Sequence, residues 1–257
     1  MSRGYGISID GLSVTRSGKR LFSNFHLQVE PSVVTVLLAP SGRGKTTLLD
    51  WIDGILPGND TVVSGQCAFT VSEKNSGEVR ISYLFQEPRL IPGCTILSNV
   101  SLPLDNIMDK SSSQQRAMYF LERTGLENRR NSYPDSLSGG EKQRAALARA
   151  FAYPSDILLM DEAFQSQDIK TKIHLMELFL SMNAEERRTV IFVTHDIQEA
   201  VCLADRILVM DGSPLQILLD VRTDTEINER KNVRNFFIEK PERLVVLEKK
   251  ITLLLTK

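Results

Sequence analysis

At 257 residues, with 42% hydrophobic and 25% charged side chains, the chain has room for one large α/β domain, or a core domain with a sub-domain, around a core of its own. A formal net charge of −1 leaves no overall field to recruit nucleic acid or an anionic membrane surface. The apolar runs are too short to cross a bilayer, the first residues read as no secretory signal, and Cys67, Cys94 and Cys202 are too scattered for a C-x-x-C site, as in a reduced cytosolic protein.

In chain order, "ISIDGLSV" (7–14) and "FHLQVE" (25–30) alternate apolar and polar residues and predict antiparallel strands. "SVVTVLLA" (32–39) is nearly all aliphatic, as expected of a strand buried on both faces. Leu48, Leu49, Ile52, Ile55 and Leu56 then recur at helical spacing, with Pro57 as the expected stop. Residues 95–150 read as mostly helical, with "KSSSQQ" (110–115) as a short polar loop. Two further buried strands, "DILLM" (156–160) and "TVIFVT" (189–194), flank the helical stretch "IKTKIHLMELFLSM". A β-rich piece follows "DRILVMDG", and "PERLVVLEKKITLLL" places Leu244, Leu247, Ile251 and Leu254 on one face of a helix that packs on the core. Buried strands alternating with helices predict a parallel α/β core carrying a helical insert.

Between the third strand and the first helix lies "APSGRGKTT", residues 39–47. It fits the phosphate-loop pattern G-x-x-x-x-G-K-[ST] at Gly44, Lys45 and Thr46, but has Ala39 where the first glycine belongs. Backbone N–H groups from Gly42 to Thr46 would surround an anion at a positive helix end, Lys45 would add a cation, and the Thr46 hydroxyl could ligate Mg²⁺. Because Pro40 pushes Ala39 to extended geometry with negative φ, the missing glycine is expected to leave the loop competent. A tight strand-to-helix turn with no ligand is the plainer alternative.

"LSGGEKQR" (137–144) sets Ser138, Gly139 and Gly140 at a second helix start, again suited to an anion, although a serine-capped helix needs no ligand. "ILLMDE" (157–162) ends a strand in two acids: Asp161 could hold Mg²⁺, and Glu162 could act as general base on water. His195 in "VTHD" falls at the end of the next strand, on the edge where parallel sheets collect ligands.

Taken together, the chain resembles the ATP-binding subunit of ABC transporters over residues 5–215. "APSGRGKTT" is similar to that family's Walker A loop, "YLFQEPRLIP" to its Q-loop, "LSGGEKQR" to its signature motif, "ILLMDEAF" to Walker B, "QSQD" to the D-loop and "FVTHDIQEA" to the H-loop, in the family's order. The resemblance implies a P-loop NTPase core with a parallel sheet over about 1–87 and 151–215, an antiparallel β sub-domain, a helical sub-domain over about 88–150 and an extension over about 216–257.

It further implies ATP and Mg²⁺ as cofactors. Residues Ala39, Pro40, Ser41, Gly42, Arg43, Gly44, Lys45, Thr46 and Thr47 would bind the nucleotide, and Thr46, Gln86 and Asp161 would serve the metal. Glu162, His195 and Gln86 would be catalytic. Leu137, Ser138, Gly139, Gly140 and Glu141 would complete the nucleotide site of a second copy docked head to tail, with Asp168 at the dimer interface. Hydrolysis would drive integral membrane permease subunits, fed by a solute-binding protein, from the cytoplasmic face of the inner membrane, with no nucleic-acid partner. "ILSNVSLPL" (96–104) and "THDIQEAVCLADRILVM" (194–210) resemble importer ATPases for nitrate, sulfonate, taurine and thiamine precursors, and 88–104 would receive a permease helix.

Two departures stand out. No aromatic residue occupies the adenine-stacking position near Arg16 and Ser17, leaving Arg16, Tyr5 or Phe22 to take the base, and Gln167 replaces the usual leucine of the D-loop. A soluble ABC-type ATPase acting on DNA, ribosomes or cluster assembly is the alternative function. The short, heptad-free gap between Lys45 and Leu137 and the single ATPase half speak against it.

Overall fold

The computed structural model describes residues 4–55, 58, 60–71, 78–165, 167–223, 233 and 240–256. Strands β1 (Tyr5–Arg16), β2 (Lys19–Val29) and β4 (Thr61–Val71) form an antiparallel sheet in the order β2-β1-β4. β3 (Val34–Leu38), β5 (Ile81–Leu84), β6 (Ile157–Asp161), β7 (Thr189–Thr194), β8 (Arg206–Asp211) and β9 (Gln216–Arg222) form the second, in the order β5-β6-β7-β3-β8-β9. All its pairings are parallel except that of β9, which closes one edge antiparallel to β8. The expected strands at 7–14, 25–30, 32–39, 156–160 and 189–194 are present.

Helices are α1 (Lys45–Ile52), α2 (Ile96–Ser101), α3 (Lys110–Arg123), α4 (Gly139–Ala152), α5 (Ile169–Glu186), α6 (Ile197–Leu203) and α7 (Glu242–Leu255). Every residue of β3, β6 and β7 is buried, so successive side chains feed opposite faces of the sheet. Leu37, Leu159, Ile191 and Val193 pack with Leu48, Leu49 and the antiparallel sheet. Val36, Leu38, Leu158, Met160 and Phe192 pack with α4, α5, α6 and the helical segment from α2 to α4. The same three short strands thereby join both layers.

Two sequence expectations are corrected. Residues 110–115 open α3 instead of forming a loop, because the Asp109 carboxylate accepts hydrogen bonds from the backbone N–H groups of Ser111 and Ser112 and caps the helix. Helix α1 ends at Ile52, not at Pro57, which lies outside the described residues: Gly54, at φ 76°, reverses the chain, and Ile55 is 43% exposed. Leu244 and Ile251 of α7 are buried and Leu247 packs beside them, next to α6. Among the described residues, no helix is long and apolar enough to cross a membrane.

Candidate nucleotide site

The buried strand ends converge on the loop between β3 and α1. Gly44 takes φ 94°, and a β-carbon there would meet Leu21 at 3.2 Å and Phe22 at 3.4 Å, so both conformation and space call for glycine. Ala39 is not among the residues with positive φ; it is buried, and its N–H donates to the Thr194 carbonyl at 3.2 Å. The absent glycine therefore brings no backbone strain, in line with the effect expected of Pro40.

Lys45 is 4% exposed, and its ammonium donates to the carbonyls of Ala39 at 2.9 Å and Pro40 at 3.0 Å and pairs with Glu162 Oε1 at 3.1 Å. The other Glu162 oxygen lies 3.0 Å from His195 Nδ1, which stands 3.5 Å from Ser41 Oγ. The Thr46 hydroxyl donates to Asp161 Oδ2 at 2.7 Å. Burial, helped by Glu162 and Asp50, pushes the Asp161 carboxyl above its ordinary range against that hydrogen bond. Glu162 sits at φ 43°, a left-handed conformation that is strained for a non-glycine residue, with its N–H bonded to the Val193 carbonyl.

A cavity of 260 Å³ opens here, lined by Arg16, Leu21, Gly42, Gly44, Lys45, Thr46, Thr47 and Glu162. Arg16 reaches its rim from the end of β1, 3.8 Å from Asp60. Tyr5 and Phe22 are 4% and 0% exposed, so neither can present a ring to a base, and that part of the sequence expectation is corrected. Arg43 turns the other way, to Asp211 at 3.3 Å. Gln86 is exposed and is not among the residues lining this cavity.

The second glycine-rich turn lies apart from this cavity. Ser138 caps α4: its hydroxyl accepts from the Glu141 N–H at 3.3 Å, while its own N–H donates to Glu141 Oε2 at 2.9 Å. Ser138 and Gly139 are exposed and Leu137 is buried. Nearby, Asp168 caps α5, accepting from the N–H groups of Lys170 and Thr171 and from the Thr171 hydroxyl at 2.6 Å.

The roles of two side chains escaped the sequence reading. Gln143 of α4 donates to the Ala163 carbonyl at 2.6 Å, fastening the helix to the loop after Glu162, and Lys172 of α5 pairs with Asp196 and Glu199 beside His195. Both side chains are polar, and neither spacing signals its distant partner.

Residues 22–165 match the family model described as ABC transporter, which is more than half of the chain. This chain belongs to the ABC transporter family. It is an ATP-binding domain of that family, and such domains are ATPases. It is 36% identical over 208 residues to the aliphatic sulfonates import ATP-binding protein SsuB 3 of Rhodococcus jostii (strain RHA1), covering 80% of this chain and 71% of that protein. It is 35% identical over 226 residues to the formylaminopyrimidine import ATP-binding protein ThiZ of Halalkalibacterium halodurans, covering 85% and 86%. Among solved structures, the ATP-binding cassette MJ0796, a dimer in a post-hydrolysis state bound to ADP and Pi, superposes with a TM-score of 0.71 at 27% identity, covering 86% of this chain and 100% of that one. The cbiO1 structure from Clostridium perfringens, part of the ABC transporter complex cbiONQ, has a TM-score of 0.73 at 24% identity and supports the shared fold.

Proposed function

We propose that two copies of this chain dock head to tail around two Mg-ATP molecules and that their hydrolysis powers import of a small nutrient through membrane permease subunits. The observation that carries this reading is the split between the two anion-suited helix starts. Lys45, Thr46 and Glu162 line one cavity, with Asp161 bonded to Thr46 and His195 to Glu162, while Ser138 and Gly139 lie exposed and do not line it.

In this reading the loop from Ala39 to Thr47 holds the phosphates through its N–H groups, and Lys45 exchanges Glu162 for phosphate oxygens. Glu162 then orients and deprotonates the attacking water, and His195, beside it, holds the γ-phosphate. Ser138, Gly139, Gly140, Leu137 and Glu141 of the opposing copy close over the same phosphate, with Asp168 at the seam. Thr46 and Asp161 fit Mg²⁺: a hydroxyl and a carboxylate already in contact, the acid carrying a charge penalty that a cation would relieve. The metal would neutralise phosphate charge, and Gln86 would join it on closure. The reading divides one ATPase domain into a core (about 1–87 and 151–215), a helical sub-domain (about 88–150) and a C-terminal extension (about 216–257).

The importers among its relatives support a permease partner, a solute-binding protein and a place at the cytoplasmic face of the membrane. A groove of 460 Å³ bounded by Asp53, Tyr83, Phe85, Arg89, Leu102 and Arg149 overlaps residues 88–104 and suits a permease helix. The test is Glu162→Gln: with Mg-ATP the variant is expected to elute as a dimer and to lose turnover. A variant that elutes and hydrolyses like the wild type would overturn the role of Glu162.

A further inference from the structure

The His195 side chain is 42% exposed, and among the described residues its ring is hydrogen-bonded to the Glu162 carboxylate and, more distantly, to Ser41. Its backbone is held on both sides by side-chain hydrogen bonds. On one side, the Thr194 hydroxyl donates to Glu199 Oε2 at 2.6 Å and accepts the Asp196 N–H at 3.0 Å. On the other, Asp196 caps α6 through one carboxylate oxygen, accepting from the N–H groups of Gln198 at 2.7 Å and Glu199 at 3.2 Å.

Both acids end on one cation. Lys172 Nζ lies 2.5 Å from Asp196 Oδ2 and 2.6 Å from Glu199 Oε1. Glu199 is wholly buried, and a carboxylate without access to water requires such a partner. Lys172 belongs to the first turn of α5, capped by Asp168, and its neighbour Thr171 abuts Gly140 of the signature turn. One helical turn thus meets Gly140 of the signature turn on one flank and the segment carrying His195 on the other.

We propose that Lys172 is a positioning residue for His195: through Asp196 and Glu199 it fixes the backbone on both sides of the histidine and ties it to the turn that meets Gly140 of the signature motif. The inference rests on the proposed role of His195 at the γ-phosphate. A shift of about 1 Å in a reacting group can cost as much as a hundredfold in rate, so an anchor of this kind acts on turnover more than on affinity.

The test compares Lys172→Met and Lys172→Arg in the full-length protein. Lys172→Met is expected to lower kcat about tenfold or more with the KM for Mg-ATP within about twofold, and Lys172→Arg to restore most of the loss. The chain has three histidines, so the Cε1–H resonance of His195 can be followed directly by NMR; it should move in Lys172→Met while that of His26 stays. If Lys172→Met does not fold, Glu199→Gln, which keeps the shape and the Thr194 contact, should give the same split in smaller measure. Unchanged kcat in the folded variant, or a fall in kcat that Arg does not rescue and that leaves the His195 resonance in place, would overturn the proposal. Full hydrolysis by His195→Ala would instead refute the role of His195 itself.

Discussion

A β-carbon on Gly140 would stand 2.9 Å from the γ-methyl of Thr171, whose hydroxyl is bonded to Asp168. The signature turn and the start of α5 are therefore in contact at a point that leaves no room for a methyl group. Gly139, one residue earlier, has no atom within 4 Å of such a carbon. Alanine improves a helix by roughly 0.5–1 kcal/mol over glycine, whereas overpacking costs about 1–3 kcal/mol. Gly139→Ala is expected to be neutral or stabilising in urea unfolding, and Gly140→Ala to be less stable than it by about 1–2 kcal/mol. Adding Thr171→Ser to the latter, which removes the obstructing methyl, should recover much of the difference.

The contact between Thr46 and Asp161 bears on the metal. Thr46→Ala removes a hydroxyl that can serve both Asp161 and Mg²⁺. The free Mg²⁺ needed for half-maximal ATPase activity should rise about tenfold, with much of the rate returning at high Mg²⁺. A variant with the wild-type Mg²⁺ dependence would exclude Thr46 from the metal's shell.

Arg16, at the end of β1, stands on the cavity rim, and its contact with the half-exposed Asp60, at 3.8 Å, holds it only weakly. A guanidinium plane stacks on any purine without reading its edges. Arg16→Ala should therefore raise KM about two- to fivefold for ATP and equally for GTP, the size expected of an exposed cation–π contact. An effect on ATP alone would point to an edge-reading contact.

Asp53, at the end of α1, has its carboxyl pushed up to about 6 by burial and by the Asp50 charge. The folded protein therefore holds that proton more tightly than the unfolded chain does. This contribution favours folding below pH 4 and is lost as pH rises through about 6. Asp53→Asn removes the charge penalty and should stabilise the protein by about 1–2 kcal/mol at pH 7.5. The gain should vanish near pH 3.5; a pH-independent gain would assign the effect to something other than ionisation.

Much of this was legible in the sequence because the relevant signals are local. Unbroken aliphatic runs marked β3, β6 and β7, and the glycines and acids at strand ends marked the cavity lined by Lys45, Thr46 and Glu162, with Asp161 and His195 bonded to them. The short β5 and the β4 strand, with its mixed composition, carried weaker periodicity and were not picked out. Helix ends were misjudged where a single capping residue decided them, Asp109 before α3 and Gly54 after α1. The anchors around His195 were not legible, since Lys172 and Glu199 meet only once two distant elements pack together.

The central claim, that the signature turn of one copy completes the phosphate site of another, is tested most directly by cross-linking. Ser41 and Ser138 are both exposed. With each changed to cysteine in a background of Glu162→Gln and no native cysteines, a short bis-maleimide linker should yield covalent dimers on a denaturing gel, only when Mg-ATP is present. A product at the mass of a single chain, or dimers formed equally without nucleotide, would contradict the account.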